Sequence, residues 1–253
     1  MMEAWNIKPD DDRHEDSLPT FIIFCEDEVS EPIYFRYFET SSIKVNSIGG
    51  QKSKLDNVVR AIYHCTTEDL IENVEGTPIF KMDEGIQVWC VFDRDIEETT
   101  SREEGLGNIS FNEAIEIAKR NGIKVAWSND AFELWILLHF EEVDTTNSNN
   151  KNRKTYYNKL TAIFRSLPSP NEDLIKILSR SSFDYKEDMK HKNNFRNIVR
   201  EEIVGKTYTA IERAKKLEEY HNTFDNFCHE KSPCTLVHHL VEELLSLGKK
   251  EIK

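Results

Sequence analysis

The stretch that decides the fold is VWCVFDRD, at residues 88–95. A run of apolar, β-branched and aromatic residues without polar alternation is typical of a strand inside a parallel sheet, where both faces are covered. Asp93 and Asp95 fall where this strand would leave the sheet, at the edge where open α/β folds bind their ligands. Residues two apart in an extended segment point to the same side, so these two carboxylates can converge while Arg94 points away.

Two carboxylates directed at one point repel each other unless a cation lies between them, and oxygen ligands suit Mg²⁺. The alternative interpretation is a strand followed by a solvated acidic turn, since Glu97 and Glu98 come next. The stretch alone supports both interpretations equally.

The surrounding sequence alternates between predicted strands and predicted helices. Further buried-strand patterns lie at residues 21–25, 44–48 and 123–127. Helical apolar spacing occurs over residues 30–38, 53–65, 111–120 and 132–140. Residues 66–85 are predicted as a polar connection, and residues 96–109, which contain Gly105 and Gly107, as a loop. This order predicts an α/β fold with a four-stranded, mainly parallel, Rossmann-like sheet flanked by helices.

The chain is expected to divide into three parts. Residues 1–18 form an acidic flexible tail, residues 19–142 the sheet domain and residues 143–253 an α-helical extension. In the last part only helical patterns occur, at about 155–166, 171–179, 193–202, 207–221 and 233–247, and no strand is predicted.

Composition places the chain among soluble globular proteins. Hydrophobic residues make up 38% and charged residues 31% of the 253 residues, and no apolar run approaches the roughly 18 residues of a membrane span. The acidic start is the wrong flank for a signal peptide. The five scattered cysteines fit reduced thiols, so a cytoplasmic location without membrane contact is expected.

The charge of the chain is unevenly spread. The net charge is −13, yet residues 151–200 contain twelve Lys or Arg against five Asp or Glu, a net +7. Six aromatic residues are interleaved with these cations, a composition that suits nucleic-acid binding. The alternative is that the aromatic residues form the core of the helical part while the lysines are solvated. The candidate nucleic-acid-binding residues are Lys151, Arg153, Lys154, Lys159, Lys190, Lys192 and Arg196.

A third carboxylate belongs with the central pair. Glu26 follows the strand at residues 21–25, as Asp93 and Asp95 follow theirs. If these strands are neighbours, all three side chains meet at one edge of the sheet. They would then form an oxygen-ligand site for one or two Mg²⁺ ions, which can activate water and stabilise charge on a phosphoryl group.

Three motifs resemble a known family. CEDEVSEPIYF at residues 25–35, VFDRD at 91–95 and SNDAFELWILLHF at 128–140 are similar to motifs of RloB-like proteins, also called the AbiLii family, which carry a TOPRIM domain. Weaker similarity at residues 210–217 and 233–240 extends the resemblance to roughly 19–245. Asp27 stands where the family has a glycine and Asp130 where it commonly has a proline.

The resemblance implies a toxic effector of bacterial anti-phage defence, of the kind found in restriction-modification or abortive-infection loci. The implied activity is a metal-dependent nuclease, cutting DNA or RNA (tRNA included), with Mg²⁺ or Mn²⁺ held by Glu26, Asp93 and Asp95. An ATPase encoded nearby is the implied partner, and the chain could form a homo-oligomer. Two other classes stay open: a non-catalytic sensor or binding subunit that signals to the ATPase, and a receiver-like phosphoacceptor, which Asp95 and the helical extension disfavour.

Three further residues are candidates for the catalytic site, each with a structural alternative. Glu31 could orient a water molecule or favour the positive N-terminus of its helix, and the second is preferred. Glu133, in an apolar helix, has either a site role or an Arg or Lys partner, because burying it alone would be costly. His139 is a base or a hydrogen-bonded structural residue, the second being preferred.

A cluster of possible zinc donors lies near the end of the sequence. Its spacing matches no zinc-finger pattern, and zinc is the less favoured interpretation. The residues are His221, Cys228, His229, Cys234, His238 and His239.

Overall fold

The computed structural model describes residues 18–51, 53–74, 77–81, 85–95, 101–180 and 182–250. The predicted acidic tail lies outside these residues except for Leu18. The strands of the described part are β1 (Thr20–Cys25), β2 (Lys44–Ile48), β3 (Ile71–Val74), β4 (Thr77–Phe80), β5 (Ile86–Asp93), β6 (Lys124–Asn129) and β7 (Cys234–Thr235).

Five of these strands form one mostly parallel sheet in the order β2-β1-β5-β6-β7. The pairs β1–β2, β1–β5 and β5–β6 are parallel, and β7 adds antiparallel to the edge of β6. β3 and β4 form a separate antiparallel hairpin. Because β1, β5 and β6 run in the same direction side by side, their carboxyl ends lie at one edge of the sheet.

Helices cover both faces of this sheet. The helices of the described residues are α1 (Ser30–Arg36), α2 (Lys54–Thr67), α3 (Ser101–Arg120), α4 (Glu133–Leu138), α5 (Arg153–Arg165), α6 (Glu172–Leu178), α7 (Tyr185–Met189), α8 (Lys192–Asn194), α9 (Arg200–Val204), α10 (Thr207–Asn222) and α11 (Val237–Gly248). A π-helical segment, Phe195–Val199, joins α8 to α9, and 3₁₀ turns occur at Ser148–Lys151 and Cys228–Glu230.

The alternation of side chains along β5 divides the core into two clusters. Trp89 and Val91 face a cluster that includes α1, α4 and the C-terminal helices, whereas Cys90 and Phe92 face a cluster built with α2 and α3. Both faces of β5 are therefore buried, which explains why its sequence shows no polar alternation. The predicted Rossmann-like α/β fold is confirmed.

The predicted strand number was wrong. The sheet has a fifth strand, β7, where the sequence predicted a helix from residue 233, and α11 begins only at Val237. β7 is two residues long, and its pairs are Ser128 with Thr235 and Asn129 with Cys234. Such a short strand shows no periodicity of its own, because it exists only by pairing with β6.

Two predicted connections also contain regular structure. The polar connection at 66–85 includes the β3–β4 hairpin. The predicted loop at 96–109 is helical from Ser101, while residues 96–100 lie outside the described part. Added Cβ atoms at Gly105 and Gly107 would meet nothing within 4 Å, so these glycines occupy open helix surface where no contact opposes them.

The sheet segment and the helical segment share one hydrophobic cluster. It joins Val91 of β5 and Trp135 of α4 to Leu160 of α5 and Leu240 of α11. The boundary at residues 142 and 143 stays a prediction, but buried contacts cross it. Among the described helices, none is long and apolar enough to cross a membrane.

Candidate metal centre at the carboxyl end of the sheet

Adjacent strands bring the predicted carboxylates to one edge of the sheet. Glu26 directly follows β1, Asp93 ends β5, and these strands are parallel neighbours. The Asp93 backbone N–H donates to Glu26 Oε2 at 2.9 Å. Arg94 points elsewhere, since its guanidinium donates to Asn108 and Asn129. The structure thus groups Glu26 with Asp93 and separates Arg94 from them.

Asp93 carries an unsatisfied oxygen. Its Oδ2 accepts the Phe132 backbone N–H at 3.0 Å, whereas its buried Oδ1 has no hydrogen-bond partner among the described residues. Burial, followed by the charges of Asp95 and Glu26, raises the pKa of Asp93 well above its ordinary value. A buried carboxylate oxygen without a donor is costly, and either a proton or a cation would offset that cost.

Glu26 titrates near neutrality. Burial, and then the negative charge of Asp95, raises the pKa of Glu26 from 4.5 to about 7. The N–H donated by Asp93 and the charges of Lys54 and Arg153 oppose this rise only in part. A carboxyl group with such a pKa exchanges protons at the pH of the cell.

Glu31 belongs to the same cluster. It is 1% exposed, and its Oε2 accepts the Asp27 backbone N–H at 3.2 Å. Burial, then the charges of Asp93, Asp27 and Glu26, raises the pKa of Glu31. Asp27 itself accepts the backbone N–H groups of Val29 and Ser30, so both its oxygens serve the start of α1. The structure therefore places Glu31 beside the site and gives Asp27 a capping role.

Asp95 is held by two cations. Lys54, at the start of α2, lies 3.6 Å from Asp95 Oδ2, and the Arg153 guanidinium bridges Asp95 and the fully buried Asp130. The Arg153 backbone N–H also donates to Asp130 at 3.0 Å. Burial would lower the pKa of Arg153, but the charges of Asp130 and Asp95 outweigh it and raise that pKa. Asp95 thus faces the edge of the sheet as an ion-paired group.

Two residues of this site were not among those predicted from the sequence. Asp130 follows β6 as Glu26 follows β1, so the position after a strand was a usable signal. Lys54 carried no comparable signal, because any polar residue fits the first turn of α2. The structure shows that its ammonium group reaches the end of β5.

Glu133 has the cationic partner that its burial requires. It is 2% exposed and forms an ion pair with Lys190 at 3.0 Å. Lys190 also lies 5.8 Å from the centre of the Tyr157 ring. Burial would lower the pKa of Lys190, but the Glu133 carboxylate outweighs it and raises that pKa. Of the two roles predicted for Glu133, the ion pair is present, and its charge also contributes to the raised pKa of Asp93.

His139 lies in an aromatic environment. It is 2% exposed; its Nδ1 is 2.9 Å from the Trp135 carbonyl oxygen and its Nε2 is 3.4 Å from the Tyr34 hydroxyl. Burial lowers the pKa of His139 to about 3, so the ring is neutral. This placement favours the structural role over the role of a base.

The seven predicted nucleic-acid-binding residues divide into two groups. Three of them already have ion-pair partners: Arg153 is paired with Asp95 and Asp130, Lys159 with Glu141, and Lys190 with Glu133. The others are exposed and form no ion pair with any residue that the structure describes; they are Lys151, Lys154, Lys192 and Arg196.

The aromatic residues of the basic stretch belong to the core. Five are buried, namely Tyr156, Phe164, Phe183, Tyr185 and Phe195, and Tyr157 is partly buried against them. These rings therefore fit the alternative interpretation, a core of the helical part, because a ring inside the core presents no face to a ligand.

A family model described as RloB-like protein matches residues 21–244, nearly the whole chain. The chain belongs to the RloB-like protein family. No match was found among curated proteins or among solved structures. The RloB-like match includes Glu26, Asp93 and Asp95 as well as α10 and most of α11, so the carboxylate edge and the helical segment both lie within the family region.

Proposed function

We propose that this RloB-like protein is a Mg²⁺-dependent TOPRIM nuclease that hydrolyses phosphodiester bonds. The single observation that carries the proposal is the buried Asp93 Oδ1, which lacks a partner in the described structure while the neighbouring carboxylates raise the pKa of Asp93. A divalent cation would bind the unsatisfied oxygen and offset the repulsion between the neighbouring carboxylates.

Glu26, Asp93 and Asp95 are the residues that would hold the cation, Mg²⁺ or Mn²⁺. When bound, it would supply Lewis-acid stabilisation of a phosphoryl group and a lowered pKa of water. The raised pKa of Glu26 belongs to the metal-free protein, and a bound cation would lower it, so Glu26 acts in this proposal as a carboxylate ligand. Lys54 and Arg153 lie at the same edge and can neutralise a phosphate of the nucleic acid.

The test is a cleavage assay with purified protein. Duplex DNA, single-stranded DNA, RNA and tRNA are incubated with the protein and Mg²⁺ or Mn²⁺, alone and with the product of any neighbouring ATPase gene. Wild-type protein should cut at least one of them, whereas Asp93→Asn and Glu26→Gln should lower the rate at least a hundredfold. The matched controls are Glu212→Gln, at an exposed position in α10, and Asp225→Asn, at an exposed position after it. Both variants should cut normally.

A direct binding measurement separates the metal centre from the substrate. Mg²⁺ should raise the melting temperature of the wild-type protein and leave that of Asp93→Asn unchanged. Normal cleavage by Asp93→Asn would refute the site assignment. A rise in melting temperature with Mg²⁺, without cleavage of any substrate, would contradict the proposed nuclease activity but support the proposed metal centre.

A specific contact favours a second function, the sensor or binding subunit. Asp95 is already paired with Lys54 and Arg153, an arrangement in which one of the three proposed ligands is occupied. A subunit that only recognises nucleic acid or a phage component needs no free Asp95. Protection against phage that survives Asp93→Asn, together with no cleavage, would support this alternative.

The biological role in the proposal is that of a cytoplasmic effector of anti-phage defence with an ATPase partner. It rests on the family resemblance. Phage plating efficiency on cells that express the protein with and without its neighbouring ATPase gene tests the role. Equal plating efficiency in the presence and absence of both genes would contradict it.

A further inference from the structure

A second group of metal-binding side chains lies away from the carboxylate edge, where α10 meets α11. Glu218 of α10 and His238 and His239 of α11 bring one ligand atom each to within 4.8 Å of one another. The Nε2 atoms of both histidines lie 2.9 Å from the same oxygen, Glu218 Oε2. Of the six His and Cys residues considered as zinc donors, these two histidines are brought together on one carboxylate.

The hydrogen-bonding pattern of His238 requires a second proton or a metal ion. Its Nδ1 faces the Thr235 carbonyl oxygen at 3.1 Å and its Nε2 faces the Glu218 carboxylate, and both of these groups only accept. A neutral imidazole has one N–H, so it can satisfy only one of the two. His238 is fully buried, so either a second proton or a metal ion must lie between Nε2 and Glu218.

His239 contacts the same carboxylate oxygen as His238. Its Nε2 also lies against the Glu218 carboxylate, and the two ring centres are 4.2 Å apart. If each ring donates a proton to Glu218 while His238 keeps its Nδ1–H, His238 is a buried imidazolium that depends on Glu218 alone for its counter-charge. One metal ion bound by both lone pairs and the carboxylate would replace these protons.

The surroundings have the features of a metal site. The Thr235 carbonyl oxygen accepts the His238 Nδ1–H and thereby directs the Nε2 lone pair toward Glu218, as the carbonyl partners of metal-binding histidines do. Glu218 and His239 line an open groove of about 920 Å³, through which an ion can enter. Ligand atoms around a tetrahedral zinc ion are about 3.3 Å apart. Each histidine Nε2 lies 2.9 Å from Glu218 Oε2, so these two separations would widen by about 0.4 Å on metal binding.

We propose that Glu218, His238 and His239 bind a zinc-class transition metal ion that fastens α11, and with it the edge strand β7, to α10. Two imidazoles and one carboxylate form a donor set that suits Zn²⁺ and leaves the fourth position for water. The site uses nitrogen ligands, whereas the carboxylate edge offers oxygen alone. The two sites should therefore select different ions, and this proposal does not depend on the nuclease.

The experiment uses full-length protein carrying Asp93→Asn, so that the oxygen site does not contribute. After treatment with a chelator, the protein is titrated with Co²⁺, whose visible bands are strong in tetrahedral sites and weak in octahedral ones. One equivalent should give strong bands that Zn²⁺ abolishes, and Zn²⁺ should raise the melting temperature. His239→Ala and Glu218→Gln should lower Co²⁺ affinity at least a hundredfold.

His229→Ala is the matched control, since His229 is another partly exposed histidine that contacts Asn112 instead of Glu218. It should bind Co²⁺ with the same affinity as the Asp93→Asn protein that carries no further substitution. Circular dichroism establishes that each variant is folded before its titration is interpreted, and His239, which is half exposed, is the substitution least able to disturb the core. No strong bands in the parent would overturn the proposal, as would unchanged binding by folded His239→Ala or equal loss in His229→Ala.

Discussion

At the scale of single residues, burial decides which charged groups act as partners within the fold. Glu133 is buried in α4 and Lys190 supplies its counter-charge, whereas Lys192, two residues further on, is exposed. Both lysines looked alike in the sequence, as cations available to a polyanion. The structure pairs the partly exposed Lys190 with a buried carboxylate and leaves Lys192 on the surface.

Lys190→Met should destabilise the protein by about 3 kcal/mol, because it leaves the Glu133 carboxylate buried without its cation. Urea unfolding followed by circular dichroism measures the change. The double variant Glu133→Gln/Lys190→Met should recover most of the loss, since no buried charge remains. Lys192→Met is the control and should change stability by less than about 0.5 kcal/mol. Equal effects of the two single lysine variants would show that the ion pair contributes nothing.

The residues of the candidate site could be predicted where a carboxylate lies at the end of a buried strand. Glu26 and Asp93 were identified because each terminates a buried strand, and parallel pairing of β1 with β5 brings them into contact. Lys54 and the bridging role of Arg153 could not be predicted, because both depend on how helices that start far away in sequence pack against the sheet. Long-range ion pairs leave no local pattern.

At the scale of elements, the predictions succeeded where hydrophobic periodicity was long enough to be specific. The four predicted strands appear within one or two residues of their predicted limits. The first half of α3 was missed because Gly105 and Gly107 suggested a loop, whereas the helix accommodates both on its surface. β7 was missed because two residues carry no period.

Gly105→Ala and Gly107→Ala should each stabilise the protein by about 0.5–1 kcal/mol. The added methyl groups meet no atom within 4 Å, and alanine loses less backbone entropy than glycine in a helix. Chemical denaturation midpoints measure the gain. Gly122→Ala is the contrasting control, because Gly122 has a φ of 71° after α3 and alanine there should destabilise by about 1 kcal/mol. A loss of stability in both helix variants would mean that this part of the chain is not helical in solution.

At the scale of the whole molecule, the sheet and the helical extension share a core, as the cluster that joins Val91 to Leu240 shows. We therefore expect one cooperative unfolding transition in calorimetry, with equal calorimetric and van't Hoff enthalpies. Leu240→Ala should destabilise the entire transition by about 2–5 kcal/mol, because it opens a cavity in the shared cluster.

Leu247→Ala, at a position of the same helix that is 37% exposed, is the control and should have little effect. Two separate transitions, with only one shifted by Leu240→Ala, would show that the predicted boundary at residues 142 and 143 divides independent folding units.

The bridge from Arg153 to Asp95 and Asp130 has a thermodynamic consequence for the proposed binding of nucleic acid. Arg153 is already neutralised, so its contact with a phosphate exchanges one ion pair for another. The counterions that leave the nucleic acid are then offset by the cations that Asp95 and Asp130 attract, and the net release is small. The salt dependence of binding should come instead from the exposed cations Lys151, Lys154, Lys192 and Arg196. Four such contacts give a slope of log K against log salt of about −2.8 for single strands and about −3.6 for duplex DNA, which fluorescence anisotropy at several salt concentrations would measure.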